Sequence, residues 1–490
     1  MHIAEETFFL DPAFEGTLQQ QIQRMVTEGI LSGRFRSGQK LPSSRRLAKR
    51  LGISRITVTL AYTELLSGDY LTARGRSGYY VSETAPRPPE LTLPCAPRTD
   101  TVDWGRAIGQ RYSGGQTMTK PQDWRSYQYP FIYGQTDATL FDHQNWRQCA
   151  LQALGQRDFE ALTTDYYERD DQQLVEYIAR HILPRRGINA RPEEILLTLG
   201  AQNALWLTAQ ILLTQRRTAA MENPCYPGLR DILGQTRCNL VAMDVDANGL
   251  TPEQIPPGID VLFTTPSHHC PTNATMPLSR RHQLLTLADQ NDFVLVEDDY
   301  EFEMSFLRPP SPALKSLDTG GRVVYIGSFS KSLFPGLRLG YLVGSQPFIQ
   351  EARALRATVL RHPPGHIQRT AAYFLSLGHY DALVNRMGQA YKRRRAVMDT
   401  AIRENGLSIA GQNINGGSSF WMKTPPHVDS SNLTERLKQK GVLIEPGGAF
   451  FQESDGLNNF YRLAYSSISS RKIPAGISLI AEAIRASGPN

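Results

Sequence analysis

The chain has 490 residues, 40% of them apolar and 20% charged, with 53 Lys/Arg against 47 Asp/Glu; this suits two to four globular domains and excludes collagen-like, coiled-coil and disordered classes. No run of about 18 uncharged apolar residues occurs, so no membrane span is expected, and the first ten residues carry Glu5 and Glu6 without the basic stretch of a secretory signal. Cys95, Cys149, Cys225, Cys238 and Cys270 are odd in number, widely spaced and form no C-x-x-C pair, which speaks against a disulfide scaffold or a metal site and for a cytoplasmic location.

The charge is unevenly placed. Residues 16–82 hold eleven Lys/Arg and three Asp/Glu, a net +8 that leaves −2 for the remainder, so a polyanion partner is expected for this segment alone. Leu18, Ile22, Met25, Val26 and Ile30 recur at helical spacing and predict a first helix ending near Gly33. Pro42 and Ser43 open a short second helix carrying Leu47, Ala48 and Leu51, and Gly52 stops it. Ser54 stands where a helix cap belongs, and Val58, Ala61, Tyr62, Leu65 and Leu66 then form one apolar face. Residues 70–73 and 79–81 are two short strands around Arg74-Gly75-Arg76-Ser77-Gly78. The order is that of a winged helix-turn-helix, whose third helix enters the major groove of double-stranded DNA. Arg45, Arg46 and Arg55 are placed to meet phosphates, and Arg74 and Arg76 to reach the backbone or minor groove. The predicted module spans residues 12–82.

Residues 83–125 carry six prolines and the pair Gly114-Gly115, and read as a linker. From 126 to 486, short β-branched runs alternate with helical stretches, the pattern of an α/β fold with a mostly parallel sheet. Ligands of such sheets collect at the carboxyl ends of the strands. Those ends carry Gly200-Ala201-Gln202 opening a helix, Asp298 and Tyr300, Ser328 and Lys331, with Tyr226 just beyond its own strand.

These residue types together describe a pyridoxal 5'-phosphate site. Lys331 supplies an amine able to form an imine with an aldehyde. Asp298, 33 residues upstream, can hold a pyridinium N–H and keep the ring an electron sink. Ser328, Ser330, Arg338 and the helix N-terminus at Gly200, Ala201 and Gln202 suit a phosphate dianion. Tyr226 is the ring expected to stack on the pyridine, and Tyr300 can donate to its 3'-oxygen.

Residues 16–82 resemble the GntR-type winged helix, through Leu41-Pro42-Ser43-Ser44-Arg45, Leu47-Ala48, Leu51-Gly52-Ile53-Ser54-Arg55, Thr57-Val58, Ala61-Tyr62 and Gly75-x-x-Gly78. The resemblance implies DNA contacts at Arg45, Ser54, Arg55, Thr57 and Gly78. Residues 126–486 resemble a fold-type I aminotransferase domain, a large mostly parallel α/β domain closed by a smaller C-terminal α/β domain from about residue 370. The matching stretches are Gly200-Ala-Gln-Asn-Ala, Glu222-Asn-Pro-Cys-Tyr-Pro-Gly, Thr265-Pro-Ser-His, Glu297-Asp-Asp-Tyr, the run from Gly327 through Lys331 to Tyr341, and Arg462-Leu. The whole chain is similar to the MocR/GabR-type regulators, which join these two parts. That resemblance implies a dimer, operator DNA with two half-sites, and Arg462 as the residue that forks onto an effector anion.

The chain departs from the aminotransferase pattern in places. Cys270 stands where aminotransferases place an asparagine that contacts the 3'-oxygen, leaving Tyr300 or His268 to compensate, and Asn273 flanks the same motif. Residues 166–171 lack the usual glycine-rich form and are expected, with 416–421, to line the effector pocket. Three readings follow. The first is a cytoplasmic transcription regulator that senses an amine or amino-acid-like effector by imine exchange at Lys331. The second is a working aminotransferase with an accessory DNA-binding module. A third is a sensor of pyridoxal phosphate itself.

Overall fold

The computed structural model describes residues 2–86, 101–113, 120–165, 167–411, 416–452 and 457–488, which fall into two units, Met1–Gly109 and Gln110–Asn490. Most of the linker prolines, with Cys95, lie outside the described residues.

In the first unit the three helices of the winged helix-turn-helix each start at a side chain that caps them. Thr17 accepts from the Gln20 amide, and the Gln20 side chain accepts from Thr17 N–H, which fixes the start of α1 (Leu18–Leu31). Ser43 caps α2 (Ser44–Leu51), which ends at Gly52 with φ 69°. Ser54 caps α3 (Arg55–Ser67). Strands β1 (Leu71–Ala73) and β2 (Tyr79–Val81) pair antiparallel as the wing. Ile22 and Val26 of α1, Leu47 of α2, Val58 and Tyr62 of α3, and Leu71 and Val81 of the wing share one core. This core begins before the expected residue 12. Ile3 and Phe8 are buried in it, with Phe8 5.7 Å from the Phe35 ring. Ile3 and the run Phe8-Phe9-Leu10 carry no helical or strand periodicity, which is why the sequence alone did not include them.

In the second unit a short strand, β3 (Tyr129–Pro130), precedes an eight-stranded sheet. Its members are β4 (Ile195–Thr198), β5 (Thr218–Asn223), β6 (Asn239–Asp246), β7 (Gly249–Leu250), β8 (Val261–Thr264), β9 (Val294–Asp298), β10 (Val323–Ser328) and β11 (Gly340–Val343). The lateral order is β4-β11-β10-β9-β8-β5-β6-β7. The run from β10 to β6 is parallel, while β11 is antiparallel to β10 and β4, and β7 to β6. Helices α4 (Gly200–Leu212), α5 (Pro227–Thr236), α6 (Leu278–Gln290) and α7 (Gln346–Leu360) are threaded between the strands. Both faces of the sheet are covered. Val296 and Val324 pack with Leu205 of α4, whereas their neighbours Leu295 and Val323 pack with Leu284 of α6. Burial on both faces explains why these strands read as unbroken apolar runs.

The smaller sheet follows α8 (Gly365–Ser376) and the long α9 (His379–Glu404), near the boundary expected at 370. It contains β12 (Ser408–Ile409), β13 (Ser419–Lys423), β15 (Glu445–Pro446) and β16 (Phe460–Ala464), antiparallel in the order β12-β13-β16-β15. Helices α10 (Ser430–Gln439) and α11 (Ile473–Arg485) belong to this part, and β14 (Val442–Leu443) pairs with β3. Among the described residues no helix is long and apolar enough to cross a membrane.

Candidate functional site

The carboxyl ends of β9 and β10 open into a cavity of about 360 Å³. Its wall includes Lys331, Asp298, Tyr300, Tyr226, Ala201, Gln202, Ser328, Ser330, Arg338 and Arg462. Gly200 lies just behind the wall. It has φ 77°, and a Cβ there would meet the Arg338 guanidinium at 3.3 Å, while a Cβ on Gly340 would stand 2.9 Å from Gly200 backbone. Glycine at both positions lets β11 approach the first turn of α4 and leaves Arg338 lying across it. The expected residues are therefore gathered at one place from five separate stretches of chain.

Two consecutive aspartates divide their tasks. Asp299 turns into the core, where it accepts from Arg186 Nε at 2.7 Å and Tyr325 Oη at 2.9 Å. Asp298 faces the cavity, and its Oδ1 is buried without a hydrogen-bond partner. Burial, reinforced by the Asp299 charge, pushes the Asp298 carboxyl up to about 7. A buried acceptor with no donor is the feature that a pyridinium N–H would satisfy.

Lys331 is half-buried at the cavity wall. Burial brings its amine down to about 8, with Glu301 opposing the fall and Lys120 and Arg462 adding to it. Its Nζ lies 4.1 Å from the centre of the Tyr133 ring. A Cβ on Gly134 would stand 2.6 Å from it, so glycine leaves room for the amine. At the other end, Ser328 Oγ accepts from the Ser330 amide at 3.2 Å, and Arg338 Nη2 donates to the Leu199 carbonyl at 3.2 Å. Serine hydroxyls, a guanidinium and the N-terminus of α4 thus face one corner, the donor set a phosphate requires. Tyr226 Oη donates to Gln202 at 3.4 Å, and its ring lies over Gly228, where a Cβ would stand 2.7 Å from it. The residues present fit pyridoxal phosphate at the base, the phosphate end and the stacking face.

Sequence reasoning missed Lys120, Tyr133, Glu445 and Phe450, all of which line the cavity. Lys120 falls in the stretch read as linker, yet its amine donates to the Tyr133 carbonyl. Cys270 does line the cavity, and burial raises its thiol to about 11. Asn273 does not, because its amide is tied to the Ser419 carbonyl at 2.9 Å. His268 is also set back from the wall. Burial lowers its pKa to about 4, so it is neutral, and Tyr300 is the member of the proposed pair that reaches the cavity.

The expectation that 166–171 and 416–421 line this cavity is corrected. Tyr166 lies outside the described residues. Asp170 accepts from Arg356 at 2.6 Å and Arg353 at 3.1 Å, and Asp171 from Arg369 at 2.7 Å. These carboxylates brace the sheet edge against α7 and α8. Gly417 donates its amide to the Met304 carbonyl at 3.0 Å, and Ser418 donates to Glu301. Both segments look like pocket loops by composition, but Asp170, Asp171, Gly417 and Ser418 are taken up by packing, while Tyr167, Glu168 and Arg169 are exposed.

On the winged helix, Arg45, Ser54 and Arg55 are exposed and Thr57 is half-buried. Arg55 Nε donates to Ser44 Oγ at 3.4 Å, and Arg46 is paired with Glu5. Gly78 has φ 110°, with Lys40 packed against it. Arg74 lies 4.9 Å from the Tyr80 ring centre, while the side chain of Arg76 lies outside the described residues. Ile56 and Leu60 were not anticipated. They stand 70% and 49% exposed on α3, outside its buried face, where apolar side chains can meet thymine methyl groups.

Residues 134–479 match the family of aminotransferases of class I and II, and residues 18–81 match the bacterial regulatory proteins of the gntR family. The HTH-type transcriptional regulator TauR of Rhodobacter capsulatus is 59% identical over 485 residues, covering 99% of this chain and 100% of that one. The chain belongs to this family of GntR-type regulators with an aminotransferase-like body. The regulator is also 29% identical to the probable rhizopine catabolism regulatory protein MocR of Rhizobium meliloti, over 81% of this chain and 79% of that one. Among solved structures, Pyrococcus horikoshii kynurenine aminotransferase is 26% identical with a TM-score of 0.68, covering 74% of the regulator and 91% of that chain.

Proposed function

We propose that the regulator is a cytoplasmic homodimer that binds pyridoxal 5'-phosphate at Lys331, receives a primary amine or amino-acid-like effector there, and changes its hold on operator DNA in response. When bound, the cofactor supplies an aldehyde carbon to which a lysine or an effector amine can be joined. The observation that carries the reading is the pairing, in one cavity, of a half-buried lysine brought down to about 8 with Asp298, whose Oδ1 is buried and unpartnered. Near neutral pH an appreciable share of the Lys331 amine is uncharged, the form that attacks a carbonyl. Asp298 anchors the ring nitrogen, Tyr226 covers a face, and Ser328, Ser330, Arg338 and the α4 N-terminus at Gly200, Ala201 and Gln202 hold the phosphate. Lys120 gives the effector end a cation, and Arg462 stands in the same cavity paired with Glu445.

On the DNA side, Ser54, Arg55 and Thr57 at the start of α3 enter the major groove. Arg45 and Arg46 meet the phosphates, and the turn at Gly78 brings the wing to the backbone. Arg46 exchanges its contact with Glu5 for a phosphate. Separate cores for the two units support a division in which the body senses and the winged helix binds.

The test uses Lys331→Ala in the full chain. The variant should lack the visible absorbance of the cofactor-loaded protein and any effector-dependent change in operator affinity, while its basal affinity stays within about threefold of wild type. An unchanged effector response would refute the role of Lys331. Sustained release of a keto product by the wild type would favour the alternative reading, a working aminotransferase.

A further inference from the structure

Arg462, the residue expected to receive an effector anion, is already occupied by the chain itself. Glu445 and Arg462 stand directly opposite on antiparallel strands β15 and β16. Arg462 Nε donates to Glu445 Oε2 at 2.8 Å, and the two side chains are only 5% and 6% exposed. The guanidinium lies 4.0 Å from the ring centre of Tyr133 and 4.8 Å from that of Phe450, which fixes its plane. Burial works against its charge, but Glu445, with Cys270 and Tyr133 adding to it, more than offsets this, and Arg462 stays protonated. The second carboxylate oxygen, Oε1, is buried with no partner, and Glu445 lines the same cavity as Lys331.

Adding an effector carboxylate here has a definite cost. It would have to share one guanidinium with a second buried carboxylate, or displace Glu445 and leave that charge buried and unpaired. Either event places two like charges in a low-dielectric site. An amino-bearing carbon that carries only hydrogen or uncharged alkyl groups meets no such conflict.

We infer that Glu445 is a specificity-determining residue. By masking Arg462 it makes the site select primary amines whose amino-bearing carbon carries no carboxylate, and it rejects α-amino acids. This deepens the reading of Lys331 as the point of amine entry and rests on it. Lys120, which among the described residues has no carboxylate within salt-bridge distance, is the cavity cation left for an acid group placed further along the molecule.

The experiment is a titration of the cofactor-loaded full-length protein with L-alanine, β-alanine and 4-aminobutyrate, read by cofactor absorbance and by calorimetry. In the wild type at least one of the latter two should act at a concentration about tenfold or more below that of L-alanine. In Glu445→Gln the uncovered guanidinium should lower the L-alanine requirement about tenfold. A wild type that answers L-alanine as readily as the others overturns the proposal without any variant. So does a folded Glu445→Gln protein that keeps the wild-type preference. A wild type with no visible cofactor band, or one indifferent to every amine, overturns the reading beneath, and the proposal with it.

Discussion

Asp298 shows how far this chain departs from maximal stability at one position. Its carboxyl is raised to about 7 by burial and by Asp299, so between about 4 and 7 the folded state holds a proton that the unfolded state has lost. Its contribution to stability is therefore fullest below about 4 and disappears as pH rises through 7. Asp298→Asn removes that charge. Cofactor-free Asp298→Asn protein should be more stable than wild type by ~1–3 kcal/mol at pH 8, with the gap closing toward pH 5. Its affinity for pyridoxal phosphate should nevertheless drop at least about tenfold. Chemical denaturation at the two pH values and a cofactor titration check both halves; a variant less stable than wild type at pH 8 would contradict the assignment. Lys331 gives a second pH signature. Because its amine is lowered to about 8, cofactor uptake by the cofactor-free protein should accelerate through a midpoint near pH 8. A midpoint above 10 in rapid-mixing absorbance would mean an ordinary, solvated lysine.

At the scale of elements, caps and turns carry the argument. Gly52 holds φ 69° between α2 and α3, the left-handed conformation that glycine adopts without a Cβ penalty. Gly52→Ala should cost ~1 kcal/mol and lower the melting temperature of the winged helix without altering the cofactor spectrum, as differential scanning calorimetry and absorbance would show. A spectral change would contradict the independence of the two units. The same elements mark what could be read from sequence. Ser43, Gly52 and Ser54 announce helix ends because caps are local chemistry, and Lys331 and Asp298 announce a site because both end apolar strands. Lys120 and Glu445 carry no such signal. Lys120 sits in irregular chain, and Glu445 acquires meaning only from Arg462 opposite it on a strand 17 residues later in sequence. Asp170 and Asp171 misled for the reverse reason. Their charges resemble a binding loop until Arg353, Arg356 and Arg369 are seen to consume them.

At the scale of the molecule, the two units close over separate cores and carry two kinds of chemistry. The winged helix closes over Val26, Leu47, Val58 and Tyr62, and the body over its own sheets. Arg55→Ala should therefore weaken operator binding by about tenfold in a gel-shift titration and leave cofactor absorbance untouched. Loss of cofactor in that variant would contradict separable units. Everything attributed to the body depends on Lys331 being the residue that holds the aldehyde. The most direct measurement is borohydride reduction of the cofactor-loaded protein followed by peptide mass spectrometry. One phosphopyridoxyl adduct should appear, on the peptide containing Lys331; an unmodified Lys331 peptide, or an adduct on another lysine instead, would refute that assignment.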